Sequence, residues 1–278
     1  MIIPDSKLMK YSTIIHKKYM LIFFISQILL IGCKKESGYN KDEWELTFCD
    51  EFSDSILNRN IWTSKFPWGQ STTTNDQELF IDSAFTIKNG ILNILAKRDT
   101  VSGVVYDENY HPIQKEFYFT SGLIHTRNSF SQQYGYFEIR SKVPYGKGFW
   151  PAFWMMPYSG WPPEIDIFEI DGKKPNALLM TNHFRDNLGT HRQNSFTFIG
   201  PDFTEDFHKF AIEWNPNEII WYLDDQKIFS TSQTGIPNER MYLVLSMSVG
   251  GNLSGDADQY TPMPGNFEID YVRVYRKK

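Results

Sequence analysis

Apolar and polar positions alternate with a period of two along most of the chain, the pattern of half-buried strands. In "YGYFEIRSKVP" Phe137, Ile139 and Val143 fall on one face, and Glu138, Arg140 and Lys142 on the other. "HKFAIEWNPNEIIWYLDDQKIF" sets Phe210, Ile212 and Trp214 on one strand and Ile219, Trp221 and Leu223 on the next, with turns at Asn215 to Asn217 and at Asp224 and Asp225. "MYLVLSMSVGG" and "FEIDYVRVYRK" read as further strands. No segment keeps a helical period over three turns, so the class is all-β. With Gly, Pro and Asn punctuation and no fixed repeat, the expected architecture is a two-sheet antiparallel β-sandwich of jelly-roll type, with a barrel as the other choice.

The N-terminal stretch stands apart. Lys7, Lys10, Lys17 and Lys18 precede "YMLIFFISQILLIG", an apolar run shorter than the roughly 20 residues of a membrane span, and together they read as a processing signal. Its end, "LLIGC", resembles the lipobox of bacterial lipoproteins. That resemblance implies a signal peptide over 1–32, a lipid on Cys33, a tether over 33–43 and one catalytic domain over 44–278. It also implies residence in the bacterial cell envelope, at the outer membrane. An uncleaved anchor, or a start at Met9 or Met20, is the alternative.

Composition then narrows the picture. The 278 residues are 41% hydrophobic and 16% aromatic, enough for one large core. Removing the leader, with four lysines and Asp5, takes the formal net charge from −5 to −8. An acidic chain without a basic run argues against nucleic acid as a partner. Lipidation of Cys33 would leave Cys49 alone, with no disulfide available, and Cys49 reads as a small core residue. A monomer is expected. Gly-rich phosphate loops, zinc-spaced His and Cys clusters and Gly-x-Ser-x-Gly elbows do not occur.

The chemistry concentrates in "WPPEIDIFEIDG", residues 161–172. Glu164 and Asp166 share a strand face, whereas Glu169 is an odd number of residues from Glu164 and in a regular strand points the other way. A β-bulge near Ile167 and Phe168 restores parity and puts all three acids on one face. Strand rise then separates the two glutamate Cα atoms by roughly 13 Å, and inward-leaning side chains could bring the carboxyls to about 5 Å, the spacing of a retaining glycosidase. Such a pair offers one ionised carboxylate to attack and one protonated carboxyl to donate, the split arising from like-charge crowding. The other reading is the wet face of an ordinary strand; a helix opened by Pro162 and Pro163 is disfavoured by Ile165, Ile167 and Ile170. Trp150, Trp154 and Trp161 crowd the acids, and aromatic platforms with polar edges suit the apolar faces of sugar rings.

"GKGFWPAFWMMP" followed by "EIDIFE" resembles glycoside hydrolase family 16, in its laminarinase-like β-glucanase branch, and the likeness runs from about Trp44 to the C-terminus. The resemblance implies a concave jelly roll with an open cleft and an endo-acting retaining mechanism. It makes Glu164 the nucleophile, Glu169 the acid/base and Asp166 the residue that tunes the nucleophile. Trp150 and Trp154 match aromatic positions flanking the cleaved bond, and His183 of "TNHF" matches a cleft histidine. Asn75 and Glu78, in "NDQELF", loosely match sugar contacts far from the cleavage point. The family implies no cofactor for chemistry and a structural calcium, for which Asp270, Glu51 and the carbonyl of Gly90 sit at matching places.

Two departures bear on substrate. Laminarinases usually carry a tryptophan shortly after "GGN", where this chain has Leu253. Arg185, His191 and Arg192 lie near His183 and could form a subsite for acidic or sulfated sugars, as in the agarase, porphyranase and carrageenase branches, or a solvated loop. The expectation is therefore a membrane-anchored endo-β-glycanase acting on an extracellular β-1,3- or β-1,3-1,4-glucan. A galactan, sulfated galactan or poly-lactosamine glycan is the alternative substrate, and a non-catalytic glycan-binding jelly roll the alternative class.

Overall fold

The structure is a computed structural model and describes residues 43–67, 69, 77–106, 111–232 and 234–278. Cys33, the leader and most of the tether lie outside the described residues, as does Asn75.

Sixteen strands account for most of the described chain. They are β1 (Trp44–Asp50), β2 (Glu78–Phe80), β3 (Phe85–Lys88), β4 (Ile91–Tyr106), β5 (Pro112–Ser121), β6 (Leu123–His125), β7 (Gly135–Lys142) and β8 (Phe149–Pro157). There follow β9 (Glu164–Ile170), β10 (Ala177–Arg185), β11 (His191–Ile199), β12 (His208–Trp214), β13 (Ile219–Leu223), β14 (Gln226–Thr231), β15 (Met241–Val249) and β16 (Gly265–Lys277). The larger sheet runs β14-β13-β12-β7-β16-β4-β5-β2, with β1 on β16 and β3 on β4; the smaller runs β11-β10-β9-β8-β15-β6. This is the expected two-sheet sandwich. One pair departs from antiparallel order: the short β2 runs parallel to β5.

Local sequence explains the hairpins. Asn215 Oδ1 accepts from the amides of Asn217 and Glu218, 3.0 and 2.9 Å away, and closes the β12–β13 turn. Asp224 and Asp225 both take positive φ, 48° and 68°, which matches the twist of the β13–β14 hairpin. The expected inward faces are inward: Phe137, Ile139, Phe210, Ile212, Trp214, Ile219 and Trp221 are all buried, against Phe153, Met155, Ile165, Phe168, Leu243 and Leu245 of the smaller sheet.

Two expectations need correction. Glu138 is fully buried instead of forming part of a wet face, because β7 lies between β12 and β16 and its second face carries Tyr136 in a layer with Tyr271 and Tyr222. Cys49 is partly exposed on β1, not a small core residue.

Candidate active site

Strand β9 sits in the middle of the smaller sheet, between β8 and β10. Its register breaks on both sides at one place. Phe153 pairs with Phe168 but Trp154 pairs with Asp166, and Leu179 pairs with Glu169 while Thr181 pairs with Asp166. One extra residue at Ile167 and Phe168 is the bulge the spacing predicts. Glu164, Asp166 and Glu169 consequently line a single cleft, while Ile165, Ile167, Phe168 and Ile170 enter the core. A bulge frees a backbone carbonyl from its ladder. Here the buried Trp221 of β13 reaches across the sandwich, its Nε1 donating to the Asp166 carbonyl at 3.0 Å.

Neighbouring strands supply donors to each acid. Trp150 Nε1 donates to Glu169 Oε1 at 3.0 Å, and the Trp161 indole hydrogen-bonds to Glu164. His183 pairs with Glu164 across β9–β10; its Nε2 lies 3.3 Å from Asp166 Oδ2 and 3.8 Å from Glu164 Oε1. Trp154 is held by its Nε1 on Ser246 Oγ, 3.1 Å away. Ser246, Ser248, Gly250 and Gly251 complete the lining. Both glycines take positive φ, and a Cβ on Gly251 would stand 2.9 Å from the Trp150 ring, so the backbone passes where no larger residue fits.

Burial and crowding reshape the titration of all three acids. Loss of solvent raises Glu164 well above the usual carboxylate range, and the charges of Asp166 and Glu169 add to it while His183 and Trp161 oppose it. Asp166 is raised by the same burial and by Glu169. Burial pushes Glu169 up to about 7, against the pull of His183 and of the Trp150 hydrogen bond. Three carboxyls in this space cannot all be ionised, so the cluster holds protons near neutral pH.

The remaining expected positions spread around this centre. Trp161 is 47% exposed, with its ring 4.6 Å from His191 and 5.9 Å from His183. Arg185 donates to the carbonyls of Trp161 and Gly189, both at 3.0 Å, and Arg192 Nε to Asp186 at 2.9 Å. These contacts brace the loops, and the residue of that segment that touches His183 is His191. Glu78 is fully buried in β2 and does not line the cleft.

The carboxylates expected at calcium are engaged elsewhere. Glu51 accepts from Arg273 Nε and Nη2 at 2.6 and 3.1 Å, and Asp270 from Arg140 at 2.8 Å. A guanidinium on each side chain does not suit a calcium ligand set built on these carboxylates.

Sequence reasoning missed Ser246 and Ser248, which come from a strand far along the chain. It also missed the contact between His191 and His183. The "VGGN" run was the available signal for the glycine wall.

A jelly roll with three acids on a bulged central strand, walled by tryptophans, is a fold and site of the glycoside hydrolase class. The chain belongs to glycosyl hydrolases family 16, which it matches over residues 67–273. It is 36% identical over 285 residues to a glucan endo-1,3-beta-glucosidase of Cryptopygus antarcticus, covering 91% of this chain and 98% of that one. The laminarinase catalytic domain of Thermotoga maritima superposes with TM-score 0.72 at 31% identity, over 85% of this chain and 99% of that one. Another solved structure superposes with TM-score 0.76 at 26% identity, over 85% and 92%; it comes from work on endo-acting O-glycanases that prominent members of the human gut microbiota express to initiate mucin breakdown. The chain spans about half the length of some curated relatives it matches, 51% of two glycanases of Rhizobium meliloti.

Proposed function

We propose that the chain is an endo-acting β-glycanase that cuts with retention of configuration. The observation that carries this reading is the bulge, which turns Glu164, Asp166 and Glu169 to one cleft and gives the two glutamates different donors. His183 and Trp161 both serve Glu164, and Trp150 serves Glu169. Burial raises both and His183 draws both down, and the family likeness assigns the negative charge to Glu164 and the proton to Glu169. Glu164 attacks the anomeric carbon, Glu169 gives its proton to the departing oxygen, and a glycosyl ester forms on Glu164. With that charge consumed, Glu169 is a carboxylate able to take a proton from the water that cleaves the ester. Asp166, beneath them and facing His183, tunes the charge on Glu164.

The leading substrate is a β-1,3- or β-1,3-1,4-glucan, the class named for the Cryptopygus relative and the Rhizobium glycanases. A galactan, sulfated galactan or poly-lactosamine glycan is the second reading, favoured by Leu253 in place of the laminarinase tryptophan and by the O-glycanase neighbour. A pure glycan-binding module would need the tryptophans but no attacking carboxylate beside a proton donor.

Incubation with laminarin, mixed-linkage glucan, agarose, porphyran, carrageenan and mucin-type glycans, beside Glu164→Ser, tests the reading. Oligosaccharides from the unaltered protein alone support it and name the substrate; binding without products from any of them moves the reading to a glycan-binding protein. A lipid on Cys33 would hold the enzyme at the cell envelope. The intact mass of membrane-extracted protein decides, since a mass without the lipid adduct removes the anchor.

A further inference from the structure

His183 has a second neighbour besides the acids. Strands β10 and β11 pair Arg185 with His191 and His183 with Gln193, so His191 lies diagonally from His183 on the cleft side of the adjoining strand. Its Nε2 is 2.9 Å from His183 Nδ1, and the two rings stack with centroids 5.1 Å apart and 27° between planes. We propose that His191 is a positioning residue for the catalytic centre: it holds the His183 ring with Nε2–H aimed at Asp166 and Glu164, and it connects that ring's proton to solvent.

A neutral imidazole carries one N–H, and two carboxyls face His183 Nε2, so the proton belongs there. Nδ1 must then accept, and His191 Nε2–H is the group within reach. When His183 is protonated, Nδ1–H donates and neutral His191 accepts by changing tautomer. His191 thus satisfies Nδ1 in both charge states, and Nε2–H keeps its direction throughout.

The surroundings suit this. From β9, Glu164 and Asp166 face His183, with Glu169 beyond; from the preceding loop, the Trp161 ring covers both imidazoles; from β10, the Arg185 cation stands beside His191. Partial burial, the His183 charge and Arg185 all push His191 down, so it stays neutral. The His183 charge in turn lowers Glu164 and Glu169.

The rate effects rest on the glycanase reading, and the ring geometry does not. His191→Leu and His191→Gln are compared with the unaltered full chain on the polysaccharide that it cuts, with ¹⁵N shifts recorded for His183. His191→Leu is expected to lower kcat roughly tenfold with KM within about twofold. His191→Gln, whose amide can donate or accept, is expected to recover most of the rate. The ¹⁵N shifts should show the Nε2–H tautomer in the unaltered chain and a mixture in His191→Leu. Unchanged rate and tautomer in His191→Leu, or equal losses in both variants, overturn the proposal. If no polysaccharide is cut at all, the glycanase reading fails, and the ¹⁵N shifts alone still decide whether His191 orients His183.

Discussion

Each of the two sheets buries carboxylates, and the company they keep separates them. On the larger sheet, Glu138 is fully buried opposite Arg273, and the Tyr271 hydroxyl, Lys209 and Arg273 offset what burial does to it. Arg273 grips Glu51 with two hydrogen bonds and lies 3.8 Å over the Tyr271 ring. On the smaller sheet Glu164, Asp166 and Glu169 face one another, with His183 as their ion-pair partner among the described residues. In the first cluster cations stand among the carboxylates. The second trades stability for a mobile proton, as functional sites commonly do.

Substitutions can break that comparison. Glu164→Ser should cut turnover by about four orders of magnitude or more while leaving Tm level or higher, since a like charge leaves the cluster. A product assay and a thermal melt read both, and a sharp fall in Tm would make this cluster structural like the other. Glu169→Ala should cost about 10²- to 10⁴-fold on polysaccharide and far less on aryl glycosides with good leaving groups. Equal losses on the two substrates would count against its acid role. Arg273→Met leaves Glu51 buried without its cation and should cost about 3–5 kcal/mol in urea unfolding, with kcat per folded molecule unchanged.

The pH dependence sharpens the contrast. With Glu169 raised to about 7, activity falls as pH rises through that value and the acid loses its proton. Stability follows the same sign. Its raised value stabilises the fold below the unfolded carboxylate range, and that contribution disappears as pH climbs towards about 7. Glu169→Gln should flatten the stability profile across that window, by on the order of 1–3 kcal/mol, in urea titrations at several pH values. The smallest effect expected is for Trp221→Phe, which orphans the Asp166 carbonyl at about 1–3 kcal/mol and loosens the bulge. A lower kcat with unchanged KM would show that the bulge aims the acids; unchanged kcat would limit Trp221 to packing.

Much of this was legible beforehand for identifiable reasons. Phe210 to Leu223 declared their inward faces because a strand packed on one side must alternate. The bulge was legible because Glu164, Asp166 and Glu169 share a face only if parity is broken. Glu138 was misread because a period of two shows that a strand has two faces but not whether the second one is covered. Ser246 was missed because nothing local marks one face of a strand as a cleft wall.

The sequence by itself determined the strands, their turns and the three acids, since these follow from side-chain alternation, Asn and Asp turn chemistry and residue spacing. Tertiary structure decided what the acids meet. β10 brings His183 to Asp166, β11 brings His191 to His183, and β13 sends Trp221 across the core to the bulge. Register between strands distant in the chain depends on how the whole core packs, and no local stretch encodes it.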